Sequence, residues 1–103
     1  MNEFIRPQHP GLALKEDFLD DLDIKPGTLA KAIGVDRAAI KRITDGKRDI
    51  SAEMSMRLGR YFGINADFWF RMQNQYDMRL AQFEKAEAIE SEITPMVREN
   101  AAA

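Results

Sequence analysis

Five basic side chains lie close together in the middle of the chain, at Arg37, Lys41, Arg42, Lys47 and Arg48. Guanidinium and ammonium groups bind the phosphate oxygens of a nucleic acid, and an arginine can also bond guanine O6 and N7 with two hydrogen bonds. Ala38 offers a methyl group that can contact thymine. These residue types suit the binding of a polyanion better than they suit catalysis.

The charge of the 103-residue chain is unevenly distributed, although its net value is only −2. Residues 25–60 carry nine bases and four acids, a net charge of +5. Residues 1–24 and 61–103 have net charges of −4 and −3. A basic centre between acidic ends predicts that the centre contacts a polyanion.

Most other chemistries lack the residues that they need. The chain has no cysteine and one histidine, His9, which excludes thiol catalysis, disulfides and metal sites rich in cysteine or histidine. His9 has no evident partner nucleophile, so we expect it to cap or support local structure rather than act as a general base. We therefore predict a protein without catalytic residues, cofactor or metal.

Two acidic pairs, Glu16-Asp17 and Asp20-Asp21, lie on the polar side of a predicted helix. We interpret them as solvated, with contact to a basic protein partner as the alternative. No apolar run approaches the roughly 20 residues that span a bilayer. Residues 1–10 also lack the apolar segment of a secretory signal, so we expect a cytoplasmic protein with no membrane partner.

The elements that position the basic side chains are predicted to be helices, because no stretch shows the alternation of a strand. Apolar spacing and capping residues predict five helices, at about 10–22, 28–33, 37–45, 51–62 and 66–93. Pro26-Gly27 is interpreted as a break before the second helix, and Asp36 as the N-cap of the third. The length favours one all-α domain with an extended C-terminal helix.

Two apolar stripes predict the faces that the outer helices bury. The first helix has Leu14, Phe18, Leu19 and Leu22, and the fifth has Trp69, Met72, Tyr76, Leu80 and Phe83. Beyond Phe83 the stripe weakens among glutamates, so we expect that part to pack on another chain or to fray. Three consecutive aromatics at 68–70 cannot all face one core, and we expect Trp69 to be buried and Phe70 to be exposed.

Residues 28–45, TLAKAIGVDRAAIKRITD, predict a helix-turn-helix with a tight turn at 34–36. The second helix of this motif enters the DNA major groove with its N-terminal end at the base edges. Lys47 and Arg48 in the next loop suit phosphates, as does Thr28 beside free backbone amides at a helix start. The predicted DNA-binding residues are Thr28, Arg37, Ala38, Lys41, Arg42, Lys47 and Arg48. The alternative is a helical bundle with a basic, solvated face.

The sequence resembles the HigA-type antitoxins, a branch of the lambda-repressor-like (XRE) helix-turn-helix proteins, over about residues 7–82. The likeness includes His9-Pro10-Gly11, the block LAKAIGVDRAAIKRITDGKRDISAEMSMRLGRYFG at 29–63 and, most specifically, ADFWFRMQNQYDMRLA at 66–81. Phe70-Arg71-Met72 differs from the family's commoner Leu-Asn-Leu. Gly59 replaces its usual alanine, which we expect to cost about 0.5–1 kcal/mol within a helix.

The resemblance implies a lambda-repressor-like fold and a non-enzymatic protein with two partners. The first is double-stranded operator DNA, bound at a palindrome by a homodimer that represses its own operon. The second is a RelE-like toxin that cleaves mRNA and that the antitoxin neutralises. Two alternatives stay open: a stand-alone repressor without a toxin, and a protein-interaction module that no longer binds DNA.

Overall fold

Five helices follow one another in the computed structural model, which describes residues 4–98. The first, α1, spans residues 10–20, as an α-helical turn at Pro10–Ala13 that continues as a π-helix at Leu14–Asp20. The others are α2 at Pro26–Ile33, α3 at Arg37–Thr44, α4 at Ala52–Phe62 and α5 at Phe68–Glu92. The described residues contain no strand, and the prediction of an all-α, five-helix fold is confirmed.

One hydrophobic core joins all five helices. Its fully buried side chains are Leu14 of α1, Leu29 of α2, Ile40 and Ile43 of α3, Leu58 of α4 and Trp69 of α5. The Phe18 ring packs edge-on against Trp69, with ring centroids 4.9 Å apart. Burial of each large apolar side chain contributes about 1.5–3 kcal/mol, so the core fixes the helices that carry the basic residues. No described helix has the length and apolarity needed to cross a bilayer.

The first helix differs from its prediction in its second half. Its bonds change to the i→i+5 pattern, as between the Asp21 amide and the Glu16 carbonyl at 3.3 Å. A π-helix advances less around its axis per residue than an α-helix, so residues three apart no longer share one face. Leu22, assigned to the buried stripe, is therefore 57% exposed beyond the helix end, and Ile24 packs against the core instead.

The second helix also begins earlier than predicted. The predicted break at Pro26 and Gly27 is wrong, because these are the first two residues of the helix. Proline fits this position because its fixed φ suits a helix and the first amide has no intrahelical partner. Thr28 therefore lies within the first turn. Gly34 ends α2 in the left-handed conformation with φ of 75°, as the tight turn requires.

Close packing explains why glycine occupies position 59 of α4 despite its low helix propensity. A Cβ at this buried position would lie 2.8 Å from the carbonyl oxygen of Asn65 and 3.1 Å from the Cα of Ala66. The α4–α5 connection thus crosses directly over Gly59. One turn earlier, the buried Ser55 hydroxyl donates to the Ala66 carbonyl at 2.7 Å and accepts from the Phe70 amide at 2.9 Å. Glycine here permits this close approach.

The fifth helix has two unlike halves. Its first half buries Trp69 and Gln73, whereas Phe70 is 36% exposed, as expected for neighbouring aromatics. Its last nine residues, 84–92, contain no buried side chain, and we call them the distal segment. Ile89 on that segment is exposed. This exposure agrees with the weakening of the apolar stripe beyond Phe83, and packing of the distal segment on another chain stays a prediction.

Candidate nucleic-acid interface

The third helix separates its apolar and polar residues onto opposite faces. Ala39, Ile40 and Ile43 are buried against the core. The four predicted DNA-binding residues of this helix are all exposed: Arg37, Ala38, Lys41 and Arg42. The structure therefore places these four on the solvent-facing side of one short helix.

The position of α3 is fixed at both ends by backbone hydrogen bonds. At its start, Asp36 has the extended backbone of an N-cap, and its carbonyl accepts from the Ala39 amide at 3.0 Å. At its end, Gly46 adopts φ of 74°, and the Lys47 amide donates to the Arg42 carbonyl at 2.8 Å. This closure places Lys47 and Arg48 directly after the helix, where both are exposed.

Arg37 lies against the first turn of α2. Its Cδ atom is 3.8 Å from the place that a Cβ on Gly27 would occupy. Thr28 is the next residue of that turn and is exposed. The first amides of a helix have no intrahelical acceptor, so this turn combines free donors, a hydroxyl and a guanidinium. Such a combination suits an anion such as a backbone phosphate.

Acidic residues lie among the cations of this surface. The Lys41 ammonium is 3.0 Å from the carboxylate of Asp45, the C-cap residue of α3. Arg48 lines a groove beside the turn between α2 and α3, together with Val35, Asp36 and other residues. A ligand phosphate must therefore compete with carboxylates of the chain itself for at least one of the predicted cations.

Sequence reasoning missed a buried glutamine that holds the loop after α3. The Gln73 Oε1 atom accepts from the Ile50 amide at 2.9 Å, and its Nε2 donates to the Asp77 carboxylate at 2.9 Å. The bond from the Ile50 amide fixes the end of the loop that carries Lys47 and Arg48. The available signal was spacing, since Gln73 is a polar residue four positions after Trp69 on the inward stripe.

A second missed residue is Arg57, an exposed side chain of α4 that reaches the end of α2. Its Nη1 atom donates to the Ile33 carbonyl at 2.7 Å, and its Nε lies 3.1 Å from the Glu53 carboxylate. The guanidinium therefore satisfies a carbonyl at the C-terminus of α2, which helix ends leave without an internal partner. Arg57 supports the motif from behind, and the sequence alone gave no sign of that contact.

His9 has the capping role expected of it. Its Nδ1 atom accepts from the Gly11 amide at 2.9 Å, at the N-cap position of α1. Across residues 4–98, the structure brings no three histidine, cysteine, aspartate or glutamate side chains together in a way that could hold a metal ion.

Comparison with known proteins agrees with this arrangement. The Helix-turn-helix family model matches residues 18–69. Virulence-associated protein I of Dichelobacter nodosus is 39% identical over 77 residues, which are 75% of this chain and 71% of that protein. Antitoxin HigA-1 of Vibrio cholerae is 30% identical over 71% of this chain and 69% of its own length. For two further curated relatives, the chain spans 63% and 65% of their length.

A solved structure extends the likeness to three dimensions. The Pseudomonas aeruginosa antitoxin HigA, solved with the higBA promoter, is 41% identical with a TM-score of 0.84. The match covers 89% of this chain and 100% of that one. Sequence, fold and the exposed basic helix agree, and the chain belongs to the Helix-turn-helix family, in its branch of HigA-type antitoxins.

Proposed function

We propose that this protein is a cytoplasmic antitoxin that binds operator DNA as a homodimer, represses its own operon and neutralises a RelE-like, mRNA-cleaving toxin. The observation that carries the DNA-binding part is the outward face of α3, where four exposed residues lie opposite three buried ones. The solved relative bound to its promoter supports the same use of this face.

In the proposed complex α3 lies in the major groove. Arg37 and Ala38 are at its N-terminal end, where this motif contacts base edges. Lys41 and Arg42 lie further along the exposed face, and Lys47 and Arg48 follow it, in positions that suit phosphates of the flanking backbone. Thr28 and the first amides of α2 suit another phosphate beside Arg37.

The homodimer is proposed to form through α5. The distal segment extends away from the core and contains no buried residue. Met78 and Ile89 are exposed on the same helix. Exposed apolar side chains on an unsupported helix favour burial against another chain. Two-fold symmetry would place the two copies of α3 about 34 Å apart, one turn of duplex, which requires a palindromic operator.

The toxin is proposed from the family and from charge. A ribonuclease that acts on mRNA must bind a polyanion and therefore presents basic groups. The acidic pairs Glu16-Asp17 and Asp20-Asp21 are exposed on and beside α1, on a helix that the proposed DNA contacts do not use. Charge complementarity makes these pairs a candidate contact with such a protein.

Co-expression with the small reading frame beside the gene tests the proposal. We expect a stable complex on affinity purification and rescue of growth from the toxin. Arg37→Ala is the matched variant, since it should weaken binding to upstream DNA while the rescue persists.

Two other results would identify the rival functions. DNA binding without complex formation would indicate a stand-alone repressor. Complex formation without salt-dependent DNA binding would indicate a protein-interaction module.

A further inference from the structure

The loop after α3 is held by side chains that are distant from it in sequence. We call residues 46–50, which carry Lys47 and Arg48, the basic loop. Gln73 of α5 holds the last amide of this loop, as described above. At the other end His9 packs on Gly46, since a Cβ on Gly46 would lie 3.4 Å from the His9 Cβ and 3.6 Å from its Cγ.

The segment around His9 also supports the end of α3 directly. A Cβ on Gly11 would collide with the backbone carbonyl of Ile43, in the last turn of α3. Only glycine allows this approach, so His9-Pro10-Gly11 lies against both the C-terminus of α3 and the start of the basic loop. Neither the core nor the proposed DNA contacts account for this three-residue motif.

His9 itself is held in one orientation. Its side chain is 10% exposed, and its ring packs edge-on against Tyr76 with centroids 5.1 Å apart. Because Nδ1 accepts from the Gly11 amide, the neutral ring carries its proton on Nε2. That buried Nε2 has no hydrogen-bond partner among the described residues, and the Asp49 carboxylate of the basic loop is 3.7 Å away.

We infer that His9 is a positioning residue for DNA binding, which holds the basic loop where Lys47 and Arg48 meet phosphates while not touching DNA itself. A loop fixed before binding loses less conformational entropy when the complex forms. The buried Nε2–H group of His9 lacks a hydrogen-bond partner, which costs free energy. A position of the basic loop that brings the Asp49 carboxylate closer to this group is therefore favoured. The inference rests on the DNA-binding part of the proposed function.

His9→Asn is the direct test, because asparagine is a good N-cap but is too short to replace the ring contacts with Gly46 and Tyr76. The probe is a labelled duplex of the DNA immediately upstream of the gene, titrated by fluorescence anisotropy over a series of salt concentrations. We expect binding about five- to tenfold weaker, in the range of coupling between neighbouring residues. The salt slope should fall by about one unit, as when one phosphate contact is lost.

A double-mutant cycle separates positioning from a loss of stability. In a Lys47→Ala/Arg48→Ala background, His9→Asn should cause no further loss of affinity, because the groups that it positions are absent. Arg6→Ala is the matched control on the same segment, since Arg6 contacts Phe83 and Glu84 rather than the basic loop. This variant should bind the duplex with the affinity of the wild type. If His9→Asn does not fold, Tyr76→Leu removes the ring behind His9 and should weaken DNA binding in the same way.

Two results would overturn the inference. One is wild-type affinity and salt slope for His9→Asn with a lowered melting temperature, which would make His9 a cap only. The other is an undiminished loss in the Lys47→Ala/Arg48→Ala background. If the wild type itself does not bind the duplex, the DNA-binding part of the proposed function fails instead.

Discussion

The third helix and the distal segment of the fifth are of similar length but are supported in opposite ways. The eight residues of α3 bury three side chains in the core, and both ends are closed by hydrogen bonds to the turn and loop beside them. The nine residues of the distal segment bury none. An isolated helix this short is barely stable in water, so most of its stability must come from packing.

This difference shows where each helix obtains its order. The bundle holds α3 before any ligand arrives, so its outward side chains are displayed on a preformed surface. The distal segment continues a helix that is anchored only at its other half, by Trp69 and Gln73. We therefore expect core mutations to affect DNA binding through folding, and distal changes to affect association with another chain.

The largest effect is expected from removing the fully buried side chain by which α5 packs against Phe18 of α1. Trp69→Ala should lower the free energy of unfolding by about 3–5 kcal/mol, because a fully buried aromatic leaves a large cavity. Urea denaturation followed by circular dichroism measures this loss. Ile89→Ala on the distal segment is the matched control and should change stability by less than about 0.5 kcal/mol. Equal losses would show that the distal segment belongs to the core.

The next effect concerns the N-terminal end of α3. Arg37→Ala should weaken operator binding by about 1–3 kcal/mol and relax the preference at one base pair, because one arginine contact to a base edge is lost. Anisotropy titrations against the operator and against single-base variants measure both quantities. Arg60→Ala, an exposed arginine of α4, is the control. Unchanged operator affinity for Arg37→Ala would remove this residue from the reading surface.

A smaller and less selective effect is expected in the basic loop. Lys47→Ala should weaken binding to all duplexes alike and reduce the salt slope by about one unit, because it removes one phosphate contact. Titrations of operator and random duplex at several salt concentrations measure the slope. Lys31→Ala, on α2 and outside the predicted site, should leave the slope unchanged. A loss confined to the operator would mean that Lys47 contacts a base.

The smallest effect on folding is expected from removing the distal segment. A chain ending at Phe83 should change in unfolding free energy by only about 0.5 kcal/mol or less, since the lost surface contacts are exposed. Its self-association should fall sharply if α5 forms the dimer. Thermal melting and size-exclusion chromatography with light scattering measure the two properties. Collapse of the melting transition with the dimer intact would reverse the interpretation of this segment.

Much of the fold follows from the sequence because periodicity and capping agree along most of the chain. The faces of α3 follow from Ile40 and Ile43, and the turn before it follows from Gly34. The unlike halves of α5 follow from the loss of the apolar stripe beyond Phe83. These are local patterns, in which side-chain spacing alone determines which face is buried.

The features that sequence reasoning missed depend on contacts between distant residues or on changes of helix type. The π-helical part of α1 moved Leu22 to the surface, and no local signal marks that change. The need for glycine at Gly59 comes from a connection that crosses over it. Gln73 acquires its role only when α5 meets the loop that ends at Ile50. Spacing within a segment cannot reveal such crossings.

The ion pair between Lys41 and Asp45 places a competitor for phosphate among the side chains of the proposed reading surface. Any duplex must take the place of that carboxylate before the ammonium can bind it. Random DNA offers the protein only phosphate contacts, whereas the operator adds contacts to base edges. Because this i,i+4 pair is exposed to solvent, displacing the carboxylate costs only about 0.5 kcal/mol on either kind of duplex. Discrimination between operator and random DNA therefore rests on the base contacts.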